Sequence, residues 1–286
     1  MRKSSIALLL AVIAFLSTGC LRRFPAKYSE TEQLSVSLPS GGILHVLTQN
    51  GAIKVESGDV AEVQITAEKT VWSRTEEDAR QFCEDTKVET ETQPSGASVF
   101  VELPADYRGN ANIAVSITAI VPRSCNLDLD TSNGRVEARW IEGNVQMGTS
   151  NGRIEGEDIK GDVVAETSNG AIRLERVSGS ADAVSSNGKV TIREARGDIR
   201  CHPSNGSILL HNVVASAEAV TSNGSIECVI PGNASATVSG GTSNGKITSE
   251  FPLPIRHKRL SGKIGDGKFS IELRTTNGGI SIKRIK

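Results

Sequence analysis

Aromatic side chains are scarce: two Trp, two Tyr and six Phe, 3% of 286 residues. A core without rings must be thin, because small aliphatic side chains fill little depth in a close-packed interior. Histidine is rarer still. His45, His202, His211 and His257 stand alone, no two within three to five residues of each other, which excludes a metal pair on one helix face. The five cysteines include no Cys-x-x-Cys, so no zinc knuckle is encoded. No apolar run approaches the roughly 20 residues that a membrane-spanning helix requires. The longest, Ile6 to Leu16, has eleven. Neither sign of charge dominates, with 32 basic and 33 acidic residues and a net charge of −1. That balance argues against a nucleic-acid partner. The Gly-rich stretch Leu260 to Gly267 lacks the Lys-Ser/Thr pair and following helix of a phosphate loop, and no cofactor is expected.

The start of the chain reads as a targeting segment. Arg2 and Lys3 precede the apolar run, and Ser17-Thr18-Gly19-Cys20 follows it. The ending resembles a bacterial lipobox, with Ser17 where Leu is usual and Leu16 one place earlier. Residues 1–19 are therefore expected to be a signal peptide, with Cys20 the lipidated first residue of the mature chain. The alternative is plain secretion with Cys20 an ordinary residue. Residues 20–33 read as the anchor and a polar tether. Removing residues 1–19 leaves 30 bases and 33 acids. The chain is expected in the bacterial cell envelope, held to a membrane by lipid. Leu21, in place of the Asp that retains lipoproteins at an inner membrane, favours the outer membrane where there is one.

Against these absences stands a repeat. Asn-Gly recurs at Asn133, Asn151, Asn169, Asn187, Asn205 and Asn223, five successive steps of 18 residues, with looser copies at Asn244 and Asn277 and an upstream one at Asn50. Aligned on that step, columns such as Val136, Ile154, Ile172, Val190, Ile208 and Ile226 are aliphatic. So are those of Val145, Val163, Ala181, Ile199 and Ala217, and of Met147, Ala165, Ala183, Cys201 and Ala219. Within a unit, buried columns lie two apart, the period of a strand with one face covered. Two topologies fit: a meander turning at each Asn-Gly, or a β-solenoid in which each unit is one coil. The solenoid is favoured, because two flat strands per coil enclose a core about 10 Å thick, which suits ring-poor columns. Asn-Gly is expected at the corner for its tolerance of positive φ, with Asn133, Asn151, Asn169, Asn187, Asn205, Asn223, Asn244 and Asn277 stacked as a ladder whose amides can bond from coil to coil. The Thr149, Thr167, Ser185, Pro203, Thr221 column points inward or lines a face. As an ice-binding ladder it is disfavoured, broken as it is by Pro203.

The organisation that follows is irregular β coils over 34–125, regular repeats over 126–250 and a β cap over 251–286. One helix is expected at about residues 75–87, with Ser73 and Glu76 spaced as a capping box and Ala79, Phe82 and Cys83 as its apolar stripe. Cys201 and Cys228 occupy inward columns and read as buried thiols. Cys83 and Cys125 lie outside the regular repeats, where a disulfide between them and two separate thiols are both open.

Val121-Pro122-Arg123 leading into Leu127 to Gly134, the acidic helix among N-terminal strands, and the closing Leu260 to Gly267 before Thr275-Thr276-Asn277-Gly278 are together specific. In these the chain resembles the bacterial putative-adhesin domain family of unknown function. The resemblance covers most of residues 34–286. It implies a β-solenoid displayed in the envelope and no established ligand or chemistry.

Three functions compete. The first is a non-enzymatic surface binding or adhesion module. The alternative is an envelope-stress or regulatory partner of another envelope protein. The third is a glycan-active enzyme using Glu137 and Glu155, one coil apart, as a carboxylate pair. Their Arg135, Arg153 and Arg173 neighbours favour an ion-pair ladder over that last reading. Charge is uneven: residues 56–102 hold twelve acids and four bases, and residues 251–286 hold nine bases and two acids. The bland reading is a pair of solvated ends. The sharper one makes Arg256, Lys258 and Arg259 the contact for an anionic partner, an envelope protein, lipid or glycan. The sequence leaves the oligomeric state open.

Overall fold

The computed structural model describes residues 24–285. The signal peptide and Cys20 lie outside the described residues. The chain divides into two compact units, residues 1–135 and 136–286.

In the first unit the strands are β1 (Ala26–Val36), β2 (Ile43–Thr48), β3 (Ile53–Gly58), β4 (Val63–Ser73), β5 (Lys87–Gln93), β6 (Gly96–Glu102), β7 (Ala111–Pro122) and β8 (Asn126–Thr131), with helix α1 (Glu76–Asp85) after β4. One sheet runs β1-β4-β7-β3 and the other β8-β2-β6-β5. Leu44, Val46, Ile53, Val55, Val63 and Ile65 all point into the core between them, as their alternation predicts. The expected tether is a correction: residues 26–33 belong to β1, paired antiparallel with β4 along its whole length, from Ala26 opposite Ser73 to Val36 opposite Val63. Its polar residues concealed a strand whose neighbour β4 needs a partner for its backbone groups. The cap of α1 is also corrected. Thr75 Oγ1 accepts from the Asp78 backbone N–H at 3.1 Å, whereas Ser73 stays in β4 and donates to Asn110 O at 2.9 Å. Glu76, Glu77 and Asp78 suit the positive end of the helix dipole. Ala79 and Cys83 are buried as expected.

Strands of the second unit are β9 (Val136–Arg139), β10 (Val145–Thr149), β11 (Ile154–Ile159), β12 (Val163–Thr167), β13 (Ile172–Val177), β14 (Ala181–Ser185), β15 (Val190–Arg193), β16 (Ile199–Pro203), β17 (Ile208–His211), β18 (Ala217–Thr221) and β19 (Ile226–Ile230). They are followed by β20 (Ala236–Thr242), β21 (Ile247–Ser249), β22 (Ile255–Arg256), β23 (Arg259–Ile264), β24 (Phe269–Thr275) and β25 (Ile280–Arg284). Through β19 every strand pairs in parallel with the one a coil away, in an 18-residue register: Ile154 with Ile172, Val163 with Ala181, Ile172 with Val190. This is a β-solenoid, not a meander. Its core is the set of aliphatic columns, from Val136 and Ile154 to Ile208 and Leu210.

The Asn-Gly corner stacks into an amide ladder. Each Asn amide donates to the one a coil before it: Asn169 to Asn151 at 2.8 Å, Asn187 to Asn169 at 2.9 Å, Asn205 to Asn187 at 3.0 Å and Asn223 to Asn205 at 2.8 Å. In the first unit Asn133 donates to Asn50 at 2.7 Å. Yet none of these Asn or Gly residues has positive φ. Glycine is required by close approach. A Cβ on Gly170 would stand 1.5 Å from the Gly152 carbonyl oxygen, and one on Gly188 1.6 Å from that of Gly170. The preceding Thr column points inward and caps those same carbonyls: Thr167 Oγ1 donates to Gly152 O at 3.2 Å and Ser185 Oγ to Gly170 O at 3.1 Å. Positive φ sits at the opposite corner, on Trp140, Asp158, Arg176, Glu194 and Asn212. Left-handed backbone costs an ordinary residue about 1–2 kcal/mol. Coil-to-coil backbone bonds offset that cost, as from Glu194 N to His211 O at 3.0 Å and Asn212 N to Val229 O at 2.9 Å.

The end of the chain is not a cap appended to the stack. β24 lies between β18 and β20, and β25 between β19 and β21. The corner ladder follows: Asn277 donates to Asn223 at 2.7 Å, and Asn244 to Asn277 at 2.8 Å. The chain therefore skips one coil position, builds β20 and β21 beyond the gap, and returns to fill it.

All four described cysteines are buried free thiols, so the bridge between Cys83 and Cys125 is not made. Cys83 rides on α1, which packs against β1 and β4, and Cys125 precedes β8 in the other sheet. Burial pushes the Cys83 thiol up to about 11 and the Cys125 and Cys228 thiols up to about 12. Cys201 is raised for the same reason. None is a thiolate near neutral pH.

Candidate functional site

The outer face of the β9, β11, β13 and β15 sheet carries the Arg and Glu columns read from the sequence. Glu137 pairs with Arg139, Arg139 reaches Glu157 at 3.5 Å, Arg153 meets Glu155 at 3.3 Å, and Arg173 meets Glu175 at 2.7 Å. Glu137 and Glu155 are neighbours in register, but Glu137 is only 7% exposed and each carboxylate is held by its own arginine. A pair so engaged leaves no room for water and sugar between the carboxylates.

A depression of about 370 Å³ lies along the positive-φ corner. Its central charges are paired with acids of the same corner. Arg176 spans both oxygens of Asp158 at 2.7 and 2.9 Å and also bonds Glu157. The Arg176 hydrogen bond holds the Asp158 carboxyl below its usual range. The histidines stay apart: His45 pairs with Asp128 at 2.9 Å and His202 approaches Glu218 at 3.9 Å. Among the described residues no group of three His, Cys, Asp or Glu side chains is placed to hold a metal.

A second concavity is different in kind. A groove of about 930 Å³ opens at the C-terminal part of the second unit, on the outer face of β24, β20 and β23. Inward positions of these strands are filled by Ile271, Leu273, Val238 and Leu260, so the residues between them face out. Opposite one another across the strands lie Arg274, Gly241 and Arg259, and beside them Glu272, Ser239 and Ser261. The groove wall includes Lys258, Arg259 and Arg274 with Ser222, Ser243 and Thr276. Arg256 stands directly opposite Arg259 on β22, outside that wall. Lys258 Nζ donates to Ser243 O at 2.8 Å, and Arg274 is paired with Glu272. The structure thus gathers the three basic residues singled out from sequence into one hairpin. It adds Arg274 and Gly241, which sequence reasoning missed.

A family model, Toastrack DUF4097, matches residues 23–283. The chain belongs to the Toastrack DUF4097 family. No curated protein matches it. Among solved structures, this Toastrack chain is similar to a "putative adhesin" from Bacteroides fragilis, at 14% identity and a TM-score of 0.43, over 89% of this chain and 97% of that one. It is similar to a "putative lipid binding protein" from Parabacteroides distasonis at 15% identity and a TM-score of 0.49, covering 90% and 97% of the two chains. A "putative cell adhesion protein" from Clostridium sporogenes gives 12% identity and a TM-score of 0.30, over 90% and 100%. No helix among the described residues of this Toastrack chain is long and apolar enough to cross a membrane.

Proposed function

We propose that this chain is a non-enzymatic binding module of the bacterial cell envelope, anchored by lipid at Cys20, that takes an anionic partner in its C-terminal groove. The groove itself carries the reading: it is a concavity of about 930 Å³, it is lined by Lys258, Arg259 and Arg274, and it holds no carboxylate pair. Arginines 139, 153, 173, 176, 193 and 274 each lie within ion-pair reach of Glu or Asp, whereas among the described residues Arg259 and Lys258 have no acidic side chain within that distance. A cationic wall with hydroxyls between its charges selects by charge and hydrogen bonding, whereas catalysis needs convergent acid, base or metal groups.

Replacing Arg256, Lys258 and Arg259 together by alanine should weaken binding of the mature chain to isolated anionic envelope polysaccharide by at least about tenfold, two or more charged contacts being lost. Added salt should weaken it in the same direction. Affinity indifferent to both changes would exclude the groove as the binding surface. Turnover of that polysaccharide, abolished by Glu137→Gln or Glu155→Gln, would overturn the non-enzymatic reading.

The anchor has its own test. β1 begins at Ala26, six residues after Cys20, so an acylated chain sits close to its membrane. Cys20→Ser should move the protein from the membrane fraction to the soluble exported fraction, with loss of the acyl mass from the N-terminal peptide. Membrane association unchanged by that substitution would remove the lipid anchor from the model of function.

A further inference from the structure

Three features of the groove point to the chemistry of its occupant. Arg256 and Arg259 are directly opposite in an antiparallel pair, an arrangement in which like charges repel. Among the described residues neither has an acidic side chain within ion-pair distance. The turn joining them is strained. His257 and Lys258 both take left-handed backbone, with φ of 47° and 60°, where a two-residue hairpin ordinarily uses Asn or Gly. Strain and repulsion held in one hairpin are common at ligand sites, where the ligand offsets them.

The third feature is a missing side chain. Gly241 is flanked by Arg259 on one strand and Arg274 on the other. Strand spacing places the two arginine Cα atoms about 10 Å apart across it. Unlike the corner glycines, Gly241 is not demanded by the fold. A Cβ there would meet only the Lys258 carbonyl oxygen, at 3.9 Å, and its φ is not positive. What its hydrogen side chain preserves is open space between two guanidiniums.

We propose that the gap over Gly241 seats the phosphate of a phosphorylated glycan, with Arg259 and Arg274 bracketing the oxyanion and Ser239, Ser261 and Thr276 receiving the sugar hydroxyls. The proposal rests on the groove being the binding surface. Paired guanidinium forks match a doubly charged tetrahedral oxyanion. A single carboxylate needs only one of them. Glu272, two residues before Arg274 on the same face, orients the Arg274 fork through their ion pair. A sugar suits the lining better than a lipid surface does, because glycine and hydroxyl residues form most of the wall and Leu260 is buried beneath it.

Calorimetric titration of the mature chain with glucose 6-phosphate, glucose, inorganic phosphate and glucuronate, beside sedimentation with phosphatidylglycerol–phosphatidylcholine vesicles, tests this. Glucose 6-phosphate should bind at least about tenfold more tightly than any of the other three, the charged contacts and the hydroxyl contacts each contributing. Arg259→Ala and Arg274→Ala should each weaken it roughly tenfold. Gly241→Glu, which puts a carboxylate where the phosphate sits, should abolish binding while the melting temperature stays near wild type. Arg274→Gln, at a side chain 67% exposed, serves in its place if the glutamate variant misfolds. Binding that survives Gly241→Glu but falls on loss of Arg256, Lys258 and Arg259 would overturn the phosphate seat and leave the groove reading standing. Vesicle binding without glucose 6-phosphate binding would overturn the glycan in favour of a lipid headgroup. Equal affinity for inorganic phosphate and glucose 6-phosphate would overturn the role of the hydroxyl wall, and equal affinity for glucuronate the choice of phosphate.

Discussion

Gly170→Ala should destabilise the second unit by about 3–5 kcal/mol, the range of severe overpacking with loss of a buried network. The added Cβ would lie 1.5 Å from the Gly152 carbonyl oxygen, 2.5 Å from its carbon and 3.0 Å from Thr167 Oγ1. Neither coil can yield alone. The same carbonyl accepts from Thr167, and the neighbouring backbone is tied from Asn169 N to Ser150 O at 2.9 Å. Moving the corner far enough apart would also break the Asn169 to Asn151 amide bond, now 2.8 Å. In a unit of this size, each kcal/mol lowers the melting temperature by about 2–4 °C, so a drop of roughly 10 °C is expected. Thermal unfolding of the variant, with Gly241→Ala as a control that meets nothing closer than 3.9 Å, measures it. A Gly170 variant melting with the control would show that coil spacing is looser than these contacts require.

Ending the chain after Lys268 should unfold everything beyond β19. Such a chain lacks β24 and β25, and with them Ile271, Leu273, Ile280 and Ile282, each about 1% exposed or less. Burial of a side chain of this type stabilises by about 1.5–3 kcal/mol. The four together then approach the whole stability of an ordinary domain, about 5–15 kcal/mol. The damage is local because a solenoid coil draws its stability from its immediate neighbours. β21 loses its one strand partner and β20 keeps only β23, while β10 to β17 keep both of theirs. Limited proteolysis should cut readily between residues 231 and 268 and spare the coils before them. A truncated chain with wild-type protection in that segment would mean β20 and β21 dock directly on β18 and β19.

The regular coils were legible because parallel pairing in fixed register copies sequence spacing into space. A step of 18 residues becomes one strand separation, and Ile154, Ile172 and Val190 align in both. Order at the C-terminal end was not legible. Ile247 and Ile280 occupy equivalent inward columns, and nothing in either side chain says which of them stacks on Ile226. β1 was hidden by polar composition, since a strand pairing through its backbone need show little apolar alternation. The corner glycines were read correctly as glycines and wrongly as positive-φ residues, because close approach and backbone freedom select the same residue type. The left-handed column gave a broken signal: Asp158 and Asn212 favour that backbone, but Trp140, Arg176 and Glu194 do not, and there coil-to-coil hydrogen bonds impose it. Beside and within the groove, Arg256, Lys258 and Arg259 are visible in the sequence as a run of charge. Arg274 and Gly241 join them only through strand pairing, which a linear reading does not supply.

The returning C-terminal coil limits how such a protein can change in length. In an open-ended stack, a unit can be added at the tip. Here the last strand pair of the chain, β24 and β25, lies one place inside the tip, between β18 and β19 on one side and β20 and β21 on the other. A duplicated unit following β25 would find both edges of that strand already paired, with β19 and with β21. One inserted between Gly152 and Gly170 would meet the same corner on both sides, add one rung to the Asn ladder and displace the closing coil outward by a single strand spacing, about 4.8 Å. Growth by internal duplication carries the groove outward intact, so its distance from the first coils and its chemistry are separately adjustable.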